Sequence, residues 1–296
     1  ANFPKDGAKL SEKIAYIGRA YVLGSQKYEN DASAAEKIKE INKKIFSAID
    51  GSASGGEKVD KEINRLYEKG KKWSLEHFDE VYEKLGTKFN HIILESSVIS
   101  DGEKIVREFL KTGVFEESNG AVIFPGEKYG LHTRVFISSQ GLPTYETKDI
   151  GLAKKKMSLE KGLTSSLIIT ANEQNDYFKV VFKAMDFIFP EYAKISGHIG
   201  HGMMRFASGK MSSRSGNIIT AESLIEEVEK LVEAKIVEQK LTENEEKEIK
   251  DIVSIGAIKY SILRQAIGGD IIFDLEKSIS FEGDSGPYLQ YAYTRA

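Results

Sequence analysis

Two short apolar runs without helical period restrict the fold of this chain more than any other feature. Residues 89–94 read FNHIIL and residues 166–170 read SLIIT. Each has the length of a strand and too few polar positions for a surface strand, which is the pattern of a strand covered on both sides in a parallel sheet. Helical spacing surrounds them. Leu75, Phe78, Val81 or Tyr82, and Leu85 precede the first run, residues 146–161 precede the second, and residues 177–189 follow it as far as Pro190. Strand and helix alternate, the βα order of a parallel sheet with helices on its faces. The helix before residue 89 is expected to lay one face on that sheet.

The other segments are placed by the same rules. Leu10, Ile14, Ile17 and Tyr21, then Ile38, Ile41, Ile45 and Ile49, recur at helical spacing, and the GSASGG run at 51–56 breaks the pattern. Ile63 and Leu66 fall in a further helix. Ser100 with Glu103 reads as a capping box opening a helix that carries Ile105, Val106, Phe109 and Leu110. Residues 114–124 and 134–139, set apart by Gly, Pro and Asn, read as short antiparallel strands. Two long helices follow residue 220, one with Leu224, Ile225, Val228, Leu231 and Val232, the other opened by Thr242 and Glu245.

Composition excludes several classes. With no cysteine among 296 residues, disulfides and thiolate zinc sites are ruled out, and a reducing, cytoplasmic setting is expected. No apolar stretch approaches membrane-spanning length, and no signal peptide is visible. A formal charge of -3 argues against nonspecific coating of nucleic acid but allows an RNA held by local lysines. Lys69, Lys71 and Lys72, and Lys154, Lys155 and Lys156, are two such clusters, each read by itself as a solvated helix face.

The loop at 210–216, KMSSRSG, resembles the ATP-handling signature of the class I aminoacyl-tRNA synthetases. Joining a carboxylate to ATP develops charge on the α-phosphate and the departing pyrophosphate, which a lysine on a loop can offset at that moment. The resemblance gives that role to Lys210, with Ser212 and Ser213 donating hydrogen bonds to phosphate oxygens. Gly209 and Gly216 let the loop bend. The family's second lysine position holds Ser213 here, and the basic charge stands one place later at Arg214. An ordinary polar loop with Thr220 capping the next helix is the plainer alternative.

His198, Ile199, Gly200 and His201 spell HIGH, the family's other signature, but in the wrong place. In class I synthetases that motif begins a helix after the first strand, far upstream of the loop, so here it is expected in chain preceding Ala1. His198, Gly202 and Met203 instead resemble the strand that enters the loop in arginyl-tRNA synthetases. On that resemblance His198, Lys210, Met211 and Ser212 contact ATP, while His201 is a histidine packed at a strand edge.

Residues 145–151, YETKDIG, resemble the YxTxDIG segment of arginyl-tRNA synthetases, whose tyrosine and aspartate line the amino-acid pocket. Tyr145 and Asp149, at i and i+4 of a helix, share one face, and a guanidinium calls for planar, bidentate carboxylate partners. Asp149 as a surface carboxylate near a helix start is the alternative. Glu95 and Gln174 match the same pocket, and both follow presumed parallel strands, where ligands of open α/β sheets bind. The stretch 283–295, GDSGPYLQYAYTR, is similar to the family's GPYLQYAxxR; its Tyr288, Tyr291 and Tyr293 are expected to pack with wetted hydroxyls.

The resemblance implies an α/β fold: a split, Rossmann-like catalytic domain with a parallel sheet at 63–95 and 145–216. It also implies a helical insertion at 1–62, an inserted subdomain at 96–144 near the tRNA acceptor end, a helical connector at 217–281, and the start of an anticodon-binding domain at 282–296. The implied activity joins arginine to its tRNA through arginyl-adenylate, with ATP as substrate, Mg2+ accompanying it and no metal site of the chain's own. A monomer is expected. So is a piece of a longer protein, inactive by itself. A noncatalytic RNA- or arginine-binding paralogue and a class I synthetase for another amino acid are the competing readings.

Overall fold

A computed structural model describes residues 3–5, 7–50, 60–206, 220–236 and 241–296. The chain divides into two compact units, residues 1–97 and 98–296.

In the first unit α1 (Leu10–Asn30), α2 (Ala32–Asp50) and α3 (Lys61–Lys84) pack on one another. The Asp31 carboxylate accepts the Ala34 amide at 3.1 Å and starts α2. Asp60 likewise accepts from Glu62 and Ile63 and starts α3. The two helical patterns expected from 63–66 and 75–85 are one continuous helix that runs through Gly70. Within this unit it packs on α1 and α2, and no strand of the described residues lies in the unit for it to cover. Its Trp73 is the one buried hydrophobic side chain among the described residues of this unit, held by Phe3 with ring centroids 5.6 Å apart.

The FNHIIL run is not a strand. Residues 89–94 join no ladder, and Phe89 and Ile92 are exposed. Apolar character makes a segment fit to be a strand, but a strand exists only where a neighbour completes its backbone hydrogen bonds. Among the described residues none pairs with this one.

The second unit opens with α4 (Ile99–Leu110), followed by an antiparallel sheet of β1 (Glu116–Ser118), β2 (Ala121–Phe124) and β3 (Arg134–Ile137) in that order. The expected capping box at Ser100 does not form. The helix starts two residues earlier, after Val98, and the Glu103 carboxylate accepts instead from Arg107 at 2.8 Å. Next come α5 (Tyr145–Leu159), β4 (Ser166–Ala171), α6 (Asn175–Ile188), α7 (Pro190–Lys194) and β5 (Ser196–His201). β4 and β5 run parallel, from Ser166 opposite Ser196 to Ala171 opposite His201, so this stretch is the expected β-helix-β crossover, but with Leu167 and Ile169 exposed β4 is not covered on both sides as its apolar run suggested. Pro190 sits in the first turn of α7, where its missing amide costs nothing.

A single core of Val106, Phe115, Phe124, Phe136, Ile150 and Val181 joins α4, the antiparallel sheet, α5 and α6. α4 and α5 cross at backbone contact. A methyl group on Gly102 would stand 2.1 Å from the Thr147 carbonyl oxygen, and one on Gly151 would stand 2.1 Å from that of Val98. Only glycine fits at either place.

The chain continues through β6 (Met204–Phe206), α8 (Ala221–Ile236), α9 (Glu243–Leu263), β7 (Ile271–Phe273), α10 (Leu275–Ser278) and α11 (Gly286–Arg295). β6 and β7 pair in parallel, and α8, α10 and α11 gather on α9. The Thr242 and Glu245 capping box forms as expected. In the tail, Gly286 and Pro287 are buried while Tyr288 and Tyr291 are about half exposed. Tyr293 is 85% exposed and does not pack, contrary to expectation. No helix of the described residues is long and apolar enough to cross a membrane.

Candidate active site

The first turn of α5 is fastened to β3 by two threonines. The Thr144 hydroxyl lies 2.8 Å from the Val135 carbonyl and 2.9 Å from that of Phe136, and the buried Thr147 hydroxyl donates to Phe136 at 2.5 Å. This anchorage, with the close crossing at Gly151, fixes where Tyr145 and Asp149 stand. Tyr145 is 65% exposed, with the Lys148 ammonium 4.4 Å from its ring centroid. Asp149 is half-buried and accepts a 2.5 Å hydrogen bond at Oδ2 from the Tyr177 hydroxyl of α6.

Tyr177 belongs to a polar cluster that sequence reasoning missed. The Arg134 guanidinium, at the start of β3, lies 5.0 Å from the Tyr177 ring centroid and pairs with the buried Glu146 carboxylate of α5 at 3.0 Å. Burial, reinforced by the neighbouring Asp149 charge, pushes the Tyr177 phenol far above its ordinary ionisation range. Glu146 was visible as a variable position of the YxTxDIG pattern. Arg134 lies in a strand-like run, so neither carried a sign of its partner.

The Lys154, Lys155 and Lys156 cluster is not a uniformly solvated face. Lys154 pairs with Asp101 at 2.8 Å. Lys156 is half-buried, and desolvation lowers its pKa despite the attraction of Asp149. Lys71 and Lys72 pair with Glu68 and Glu76 on their own helix, and Lys69 lies 5.8 Å from the Phe3 ring centroid, as a solvated face would.

Gln174 is exposed at the end of a 3-10 turn, Asn172–Gln174, that joins β4 to α6. It therefore stands at the carboxyl end of a parallel strand. On the adjacent β5, the His198 Nε2 lies 2.8 Å from the Thr170 hydroxyl, and its ring stacks on Phe178 with centroids 4.4 Å apart. Burial disfavours its protonated form. Gly200 is held at the turn: a methyl there would stand 2.5 Å from Asn175 Oδ1 and 3.0 Å from the Asn172 Cα. His201 is exposed, not packed, and its Nδ1 lies 2.9 Å from the Gly202 carbonyl. The HIGH tetrapeptide is thus a strand with packing reasons of its own.

A cleft of about 590 Å³ opens beside β5, lined by Ile169, Ile199, Met203, Ile262 and Ile271 with the glycines at 268 and 269. Asp270 holds its edge, accepting the Met203 amide at 3.1 Å and pairing with Arg205 at 3.3 Å. Glu95 lies in the other unit, in the 3-10 turn Glu95–Ser97. Lys210, Met211, Ser212, Ser213 and Arg214 lie outside the described residues.

Residues 4–275 match the family model for tRNA synthetases class I (R), catalytic domain. The chain belongs to this class I tRNA synthetase family. The arginine--tRNA ligase of Clostridium acetobutylicum is 32% identical to it over 98% of this chain and 50% of its own length. That of Parabacteroides distasonis is 30% identical over 99% of this chain and 50% of its own length. The chain thus spans about half the length of the curated relatives it matches. Thermus thermophilus arginyl-tRNA synthetase superposes with a TM-score of 0.71 at 21% identity, covering 99% of this chain and 52% of that one. The Plasmodium falciparum arginyl-tRNA synthetase also gives 0.71, at 17% identity, over 99% of this chain and 46% of that one. The fold is that of the class I synthetases, mixed α/β with small parallel sheets and a helical carboxyl-terminal region.

Proposed function

We propose that this class I synthetase chain carries the arginine-reading and loop half of an arginine-tRNA ligase. The observation that carries the reading is Asp149, half-buried on α5 and hydrogen-bonded to Tyr177, in the segment that resembles the family's YxTxDIG pattern. A guanidinium is always charged and planar, so a carboxylate in fixed orientation reads it better than any neutral group. Tyr145 would cover the substrate, and Gln174 would complete its hydrogen bonds.

In the reaction, the arginine carboxylate attacks the α-phosphorus of ATP, and the bond to pyrophosphate breaks. Lys210 offsets the charge that develops there, with Ser212, Ser213 and Arg214 beside it and His198 and Met211 towards ATP. The 2'-hydroxyl at the end of the tRNA then attacks the arginyl carbonyl and AMP leaves. Among the described residues no group of three acidic or histidine side chains suits a metal ion. Magnesium would arrive with the ATP phosphates, and no step here runs through it.

On the same reading, residues 1–62 are an insertion, 63–95 and 145–216 the catalytic domain, and 96–144 a subdomain near the tRNA acceptor end. Residues 217–281 are a connector, and 282–296 lead into the anticodon-binding domain. A cytoplasmic, monomeric enzyme goes with it. The test is ATP-pyrophosphate exchange by protein from the complete reading frame with tRNA present. Arginine should drive it. Exchange driven better by cysteine, glutamate or lysine, or none with any amino acid, rejects the reading.

A further inference from the structure

We infer that Tyr177 is a positioning residue for arginine recognition, a neutral strut that fixes the plane of the Asp149 carboxylate without cancelling its charge. The inference rests on the reading that Asp149 meets the substrate guanidinium. It adds a residue on a different helix that the YxTxDIG resemblance does not contain.

The geometry gives Tyr177 little freedom. It is 7% exposed, its hydroxyl reaches Asp149 Oδ2 at 2.5 Å, and the Phe178 ring meets its own edge-on with centroids 4.9 Å apart. Arg134 lies over the ring, and its pairing with Glu146 ties that cover to the same helix that carries Asp149. β3, α5 and α6 are thus locked around one phenol. A carboxylate on a free side chain turns about its last torsion, which is broad, and a turning carboxylate cannot match a guanidinium fork. A short bond to one oxygen from a fixed donor removes that freedom.

The kind of donor matters as much as its place. A lysine or arginine here would also orient the carboxylate, but it would neutralise the charge that the substrate needs. A phenol orients without neutralising. Buried as it is, its own ionisation is pushed far up, so it stays a donor throughout the working pH range.

The test is Tyr177→Phe in protein from the complete reading frame, assayed by ATP-pyrophosphate exchange with tRNA present. KM for arginine should rise about tenfold, the size of losing a hydrogen bond to a charged group, while kcat and KM for ATP stay within about twofold. The inhibition constant of lysine, a point charge indifferent to the carboxylate plane, should not move. Tyr177→His, which keeps a ring and a donor at shorter reach, should bring KM for arginine to an intermediate value. If Tyr177→Phe does not fold, the His variant is read against wild type in the same way. An arginine KM that moves no further than the ATP KM overturns the proposal, because a merely structural residue would act on both. Wild-type protein without arginine-dependent exchange fails the functional reading itself, whereas normal wild-type exchange with an unmoved arginine KM in the variant fails only Tyr177.

Discussion

Arg134 and Glu146 meet at 3.0 Å where β3 abuts α5, with the Glu146 side chain 9% exposed and that of Arg134 35% exposed. Removing one partner from such a pair leaves the other's charge partly desolvated and alone. The Arg134 Nε is already buried without a hydrogen-bond partner, so the site has little capacity to compensate. Glu146→Ala should therefore cost about 2–3 kcal/mol of unfolding free energy, less than a fully buried pair because Arg134 keeps some solvent. Urea denaturation of the variant against wild type measures it. A change below about 0.5 kcal/mol, the range of ordinary surface substitutions, would show that the pair does not bind β3 to α5.

The crossing of α4 and α5 makes a second prediction, best read as a contrast between two glycines. Gly151→Ala drives a methyl group to 2.1 Å from the Val98 carbonyl oxygen, and backbone cannot swing aside as a side chain can. The cost should reach about 3 kcal/mol, the upper part of the overpacking range. Gly70, inside α3, has nothing within 4 Å of the same added atom. There Gly70→Ala should stabilise by about 0.5–1 kcal/mol through helix propensity alone. Equal effects at the two sites would mean that the close crossing does not restrict α5.

These glycines mark how far sequence reading reached. Segments whose structure is settled locally were legible: the SLIIT strand with its following helix, the stop at Pro190, the Thr242 and Glu245 cap, and the first two helices. Residues 89–94 have the same apolar character as 166–170, yet only the latter has a neighbouring strand among the described residues. Hydrophobicity says that a segment wants cover, not who supplies it. For the candidate site, the placement of Asp149 on a helix and of Gln174 just after a strand was legible, because a motif or a strand end announced it. Tyr177 and Arg134 were not. Their role is a contact between elements far apart in the chain, and a tyrosine on an apolar helix face looks like core.

His198 supplies a pH prediction. Burial lowers its pKa from the ordinary 6.5, so the folded state prefers the neutral ring and the unfolded state takes up the proton first. The associated stability is fully present above pH 6.5 and is lost as pH falls through the folded pKa. Wild-type protein should then lose stability between pH 7 and pH 5 more steeply than His198→Gln. Parallel curves for the two proteins in chemical denaturation would refute this.

The proposed division of labour between Asp149 and the 210–216 loop predicts opposite kinetic signatures. Asp149 is half-buried beside Tyr177 and meets a cation that carries its full charge before, during and after the reaction, so its contribution is uniform binding. Asp149→Asn keeps the shape and removes the charge, and should raise KM for arginine by about a hundredfold with kcat little changed, since a charge-assisted bond is lost in ground and transition states alike. Lys210 is assigned to charge that exists only while pyrophosphate departs. Lys210→Ala should lower kcat by about a hundredfold or more with KM for arginine near wild type. Exchange kinetics at saturating ATP separate the two. If both substitutions lower kcat and leave the arginine KM unmoved, Asp149 does not read the guanidinium, and the arginine pocket must be sought elsewhere in the fold.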